Sequence, residues 1–171
     1  LIQGIASRIE IGTDAIVIGY FLGPAIVPFY AIPANLISYI RNLGWTLTHA
    51  FMPFFSELSA KNQEVEMQRI YLAASRYVVG LLLPLCVGAS LVGSAFIGVW
   101  VGVEYEQDAE AIILLLVVFV ALPFLNPFST RYLTAIGRHG LLAKLDPISA
   151  LLNVIMSIIL VQYWGIIGVA I

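Results

Sequence analysis

Five strongly apolar stretches divide this chain: Ile5–Leu22, Phe29–Phe54, Tyr77–Val99, Ala111–Phe128 and Ile148–Val161, the last extending to Trp164. A helix needs about 20 mostly apolar residues to cross the roughly 30 Å of bilayer hydrocarbon. The shorter stretches reach that length through flanking Tyr, Trp, Gln and Ser, which tolerate the headgroup layer. The pattern predicts an all-α fold, a polytopic membrane helical bundle with about five transmembrane helices. Composition agrees, with 61% hydrophobic and 11% charged residues, against about 25% charged in ordinary soluble domains. A soluble domain of this size has too large a surface-to-volume ratio to hide so much apolar side chain.

The segments between the stretches carry an orientation. Lys61, Arg69 and Arg76 lie between the second and third, and Arg131, Arg138 and Lys144 between the fourth and fifth. The alternate loops, Gly23–Pro28 and Gly102–Glu110, contain no Lys or Arg. The positive-inside rule therefore places the basic loops in the cytoplasm. Glu104, Glu106, Asp108 and Glu110 form an acidic outer loop, read as a solvated edge. Aromatic residues fit the same alternation: Tyr20, Phe21, Phe29 and Tyr30 flank the first outer turn, and Trp100, Tyr105, Tyr163 and Trp164 follow later spans. Tyr71, Tyr77 and Tyr132 mark the inner interface. Asn62 is expected to cap an interfacial elbow leading into the third span, with Glu64 and Glu66 in its first turn. Asp146-Pro147 is expected to start the fifth.

The chain begins at Leu1 and stops in Gly165–Ile171, which resembles the opening of a further apolar helix, so it reads as a piece of a larger membrane protein. Arg8, Glu10 and Asp14 interrupt the apolar core that a signal peptide would need. Pro33, Pro53, Pro84, Pro123 and Pro127 bend or end helices. Gly19-xxx-Gly23 and Gly98-xxx-Gly102 would permit close helix approach. Cys86 reads as a small hydrophobe. No basic stripe suggests nucleic acid. His49 and His139 lack a second ligand at metal-binding spacing, and no hydrolase, zinc-protease or phosphate-loop motif is present.

Charges within the apolar stretches carry the chemistry, because each costs about 2.5–3.5 kcal/mol on insertion scales. They are Arg8, Glu10, Asp14 and Arg41. With the first hairpin turning near Ala25 and Ile26, Glu10 and Arg41 fall at equal depth, and Asp14 lies one turn nearer the outside. Arg41 is then roughly 20 Å deep. Glu10 and Asp14 share one helix face; Arg8 is read as snorkelling near the inner interface. Two readings stand for Arg41: a structural ion pair with one carboxylate, or a cationic site facing a wet cavity. Arginine suits an anionic ligand, since its planar fork grips phosphate oxygens bidentately and keeps its proton. Asn35, Asn126 and Asn153 read as interhelical hydrogen-bonders.

Several segments together resemble the polysaccharide exporters and oligosaccharide flippases. Thr13–Gly23 followed by Val27-Pro-Phe-Tyr30 is similar to a repeat-opening hairpin of that family. Phe51-Met-Pro-Phe-Phe-Ser-Glu-Leu58, the elbow Ala60–Arg76 and Leu81-Leu-Leu-Pro84 continue the likeness. Leu133–Arg138, Leu152-Asn-Val154 and Gly165–Ile171 complete it over nearly the whole chain. The resemblance implies a transporter of 12–14 helices in two bundles, of which residues 1–171 would supply most of the second half, with the first bundle as the alternative. It implies alternating access, without enzymatic chemistry, that flips a polyprenyl-pyrophosphate-linked oligosaccharide from the inner to the outer leaflet of the plasma membrane. Arg41 would meet the pyrophosphate, and the partners would be the lipid bilayer, the lipid-linked oligosaccharide and the missing helices. No cofactor is implied beyond a coupling ion, H⁺ or Na⁺. A dense set of cavity arginines, as in the lipid II flippases, is absent. The alternatives are a cation-coupled multidrug antiporter of the same superfamily, using Asp14 or Glu10, and a membrane glycosyltransferase using the acidic run Glu104–Glu110.

Overall fold

Proline, glycine and asparagine set the element boundaries. The computed structural model describes residues 14–135 and 139–170; Arg8, Glu10, Arg138 and the first part of the expected first span lie outside these. All regular structure among the described residues is helical. Helix α1 covers residues 14–21, and Gly23 (φ +96°) turns the chain through a short 3-10 segment, Pro24–Ile26, into α2, Val27–Ala50. Only glycine adopts such a φ without steric cost. Helices α3 (Met52–Ala60), α4 (Glu64–Trp100), α5 (Glu106–Phe124), α6 (Ser129–Ala135), α7 (His139–Trp164) and the single turn α8 (Ile166–Val169) follow.

The observed boundaries correct several expected ones. The stretch Phe29–Phe54 is split at Phe51, and Pro53 lies in the first turn of α3, where a missing N–H breaks no bond. Asn62 does not cap α4. It takes the left-handed conformation, φ +54°, which Asn tolerates better than other side chains, and so reverses the chain between α3 and α4. The elbow and third span form one continuous helix of 37 residues, with Glu64 and Glu66 in its first turn. At 1.5 Å per residue α4 is about 55 Å long, so its charged start projects beyond the hydrocarbon. Helix α5 begins earlier than expected, with Glu106 and Asp108 in its first turn, and ends before Asn126-Pro127. Helix α7 runs through Asp146-Pro147 instead of starting there. The preceding Leu-Leu-Ala-Lys-Leu favours helix, and one absent N–H does not end it.

Three helical segments among the described residues are long and apolar enough to cross a membrane: Glu64–Trp100, Val103–Phe124 and Pro147–Trp164. Helix α2 is long enough, at 24 residues, but Asn35, Ser38, Arg41 and Asn42 interrupt its apolar surface. The protein is a multi-pass membrane helical bundle. Its exterior is apolar as well as its core: Leu81, Leu85, Val92 and Phe96 on α4 and Leu114, Val118 and Leu122 on α5 are exposed, as lipid-facing side chains must be.

Inside, α4 presents Met67, Ala74, Val78, Leu82, Cys86, Gly93 and Ile97 in one buried stripe at spacings of four and seven. This stripe packs on α5 and α2. Gly44 makes the closest approach possible, since a Cβ there would collide with the Phe124 ring and stand 2.9 Å from Leu82 Cδ1. A Cβ on Gly93 would stand 3.0 Å from Ile113 Cδ1. These two glycines serve interhelical packing. Of the expected pairs, Gly23 instead makes a turn, and Gly98 faces the Glu106 side chain.

At the end of the bundle formed by α3, the start of α4 and α6, an aromatic cluster closes the core. Phe55 and Phe128 are completely buried, and the Phe128 ring meets Phe51, Phe55 and Tyr71 edge-on at 5.2, 5.5 and 6.1 Å. Such T-shaped pairs align a positive ring edge with a negative face. Tyr71 and Tyr132 thus belong to packed aromatic contacts, 5.8 Å apart, while Tyr77 is exposed as the interface reading expects. The Tyr71 hydroxyl donates to Asn126 Oδ1, tying α4 to the link between α5 and α6.

Candidate functional site

A cavity of about 400 Å³ opens among α1, α2, α5, α7 and α8. Its polar wall comprises Asp14, Tyr30, Asn35, Ser38, Arg41, Asn42 and Asn153; Phe119, Val120 and Val169 are among the apolar residues facing them. Both charged residues expected within the apolar spans and present among the described ones, Asp14 and Arg41, therefore line a single space. Arg41 lies fourteen residues into α2, about 21 Å along its axis, hence far from either membrane surface if α2 spans. Its Nε is buried and has no hydrogen-bond partner among the described residues. An unmet guanidinium donor in an apolar bundle is costly, so an anion entering the cavity would be attracted to it.

Asp14 is held differently. The Tyr30 hydroxyl donates to its Oδ2 at 2.7 Å, and the Ser157 hydroxyl approaches Oδ1 at 3.5 Å. Tyr30 and Ser157 are both buried, at 5% and 3% exposure. The carboxylate thereby links α1 to α2 and α7. Asn153 is one turn from Ser157, so α7 turns an amide and a hydroxyl toward the same region. Oxygen atoms gathered around one carboxylate suit a proton or a hard monovalent cation. Among the described residues no three His, Cys, Asp or Glu side chains come together as a metal site.

Tyr30 is the correction here: expected in the outer aromatic belt, it is buried against Asp14. A second feature lies in the sequence of α2. Asn35, Ser38, Asn42, Trp45 and His49 recur on α2 at intervals of three and four, which places them on one helix face. All are exposed or half-exposed, giving an apolar bundle one continuous polar stripe. A separate cleft of about 330 Å³ lies one turn of α2 beyond Arg41, bordered by Trp45, Thr48, Asn126 and Thr130. The expected pairing of Glu10 with Arg41, and the position of Arg8, lie outside the described residues.

Comparison with known proteins agrees with this architecture. The chain is 24% identical over 158 residues to the probable low-salt glycan biosynthesis flippase Agl15 of Haloferax volcanii, covering 92% of this chain and 33% of that protein. It thus spans about a third of the length of the curated relative it matches. No solved structure matches it significantly. The family model described as polysaccharide biosynthesis protein matches residues 1–110, well over half of the sequence. The chain belongs to the polysaccharide biosynthesis protein family.

Proposed function

We propose that this chain supplies part of a transporter that flips a glycan joined to a polyprenyl pyrophosphate from the inner to the outer leaflet of the plasma membrane by alternating access. The observation that carries the reading is the polar cavity within an apolar helical bundle, lined by Arg41, whose buried Nε has no hydrogen-bond partner among the described residues. Family membership and the relative named as a probable glycan flippase support it. In this reading Arg41 grips the pyrophosphate through its planar fork, and the polar face of α2 borders the pathway. Residues 1–171 form most of the second bundle, and the remaining helices complete the cavity. The basic loops face the cytoplasm. No covalent chemistry is involved; the work is binding and conformational exchange.

Asp14 is the coupling group in this scheme. Its two hydroxyl neighbours, Tyr30 and Ser157, come from separate helices, so loading the carboxylate with H⁺ or Na⁺ changes how those helices are held together. The same carboxylate favours the second reading, a multidrug antiporter exchanging a cation for a cationic drug. Proteoliposomes holding the full-length protein separate the two. Protein-dependent translocation of a polyprenyl-pyrophosphate oligosaccharide is the expected result. Gradient-driven efflux of a cationic dye, without glycolipid movement, would assign the protein to the antiporters.

A further inference from the structure

The cleft one turn beyond Arg41 carries a chemistry distinct from the anion site. Trp45 is half-exposed at its mouth, and Asn126 and Thr130 stand across from it on the link following α5 and on α6. Asn126 is oriented, because the Tyr71 hydroxyl engages its Oδ1, which leaves the amide NH₂ to donate elsewhere. Thr48 is buried and spends its hydroxyl on the Trp45 carbonyl at 3.0 Å, tightening the turn that carries the indole. A flat aromatic face beside a fixed amide and a hydroxyl is suited to a pyranose. The negative face of the indole attracts polarised C–H bonds of the sugar ring, while amide and hydroxyl groups meet its alcohols. The cleft volume of about 330 Å³ admits one hexose.

Spacing gives the second argument, and it rests on the proposed role of Arg41. A sugar bonded directly to pyrophosphate must lie close beside the phosphate. Trp45 follows Arg41 by four residues, a rise of about 6 Å on the same side of the helix. We propose that Trp45, Asn126 and Thr130 form a subsite for the first sugar of the cargo, the hexose attached to the pyrophosphate held by Arg41. Recognition here is of a sugar ring and its hydroxyls, not of lipid.

Two water-soluble probes test this on the full-length protein in nanodiscs: inorganic pyrophosphate and a hexose 1-pyrophosphate. The sugar adduct is expected to bind about tenfold tighter than pyrophosphate. Trp45→Ala should erase that gain while leaving pyrophosphate affinity unchanged, and Trp45→Phe should keep part of it. Arg41→Ala should weaken both probes. Trp45 is outside the buried core, so the Trp45 variants retain the packed bundle, and unchanged pyrophosphate binding verifies it directly; an unchanged thermal unfolding midpoint verifies it for Arg41→Ala. Equal affinity for the two probes, or a sugar gain that survives Trp45→Ala, overturns the subsite. Pyrophosphate binding indifferent to Arg41→Ala overturns the anion reading on which it rests.

Discussion

The phenol of Tyr30 and the carboxylate of Asp14, sixteen residues apart, meet across the first helical hairpin in a 2.7 Å hydrogen bond. Tyr30 is buried, so replacing it with Phe keeps the ring's packing and removes only the donor. Hydrogen bonds to charged groups contribute about 1.5–3 kcal/mol. Tyr30→Phe should lower the thermal unfolding midpoint of the detergent-solubilised full-length protein by a corresponding amount. An unchanged midpoint would mean that the remaining neighbours of Asp14 satisfy it fully.

Gly44 and Phe124 are fitted to each other, and the fit permits a reciprocal test. A Cβ on residue 44 would collide with the Phe124 ring, and overpacking of this kind costs about 1–3 kcal/mol. Gly44→Ala should therefore destabilise, and Phe124→Leu in the same chain should recover part of the loss. A double-mutant cycle with no interaction energy between the two positions would contradict the contact.

Phe128 joins the α2–α3 junction, α3 and α4 through its edge-on contacts with Phe51, Phe55 and Tyr71. Truncating a buried aromatic of this kind costs about 3–5 kcal/mol. Phe128→Ala should sharply reduce folded yield and raise proteolysis at the α3–α4 junction, where the chain reverses at Asn62. Phe128→Leu, which fills part of the volume, should be milder. Similar yields for the two would deny the cluster its proposed role.

Apolar runs revealed the helices because a membrane-spanning segment must satisfy its backbone internally, and twenty apolar residues leave few alternatives. Arg41 and Asp14 were legible for the complementary reason, that a charge in such a run needs an explanation. The ends of helices were less legible. Asn62 and Asp146 are both good capping residues, yet one lies in a left-handed reversal and the other inside a helix, since a cap works only where the flanking backbone also turns. Tyr30 illustrates what was missing at the site. Its position in sequence fits a headgroup belt equally well, and only the rotation of α2 against α1 decides that its hydroxyl meets Asp14. Gly44 and Gly93 fall outside any Gly-xxx-Gly pair, so their role depended on which large side chain, Phe124 or Ile113, packs opposite.

The central claim is that Arg41 binds the anionic part of a lipid-linked glycan, and translocation by Arg41 variants tests it most directly. Full-length protein in proteoliposomes should lose translocation of a polyprenyl-pyrophosphate oligosaccharide on Arg41→Ala and keep part of it on Arg41→Lys, which retains the charge without the bidentate fork, with both variants folded by thermal unfolding. Undiminished translocation by folded Arg41→Ala would contradict the claim and leave Arg41 a structural residue of the bundle.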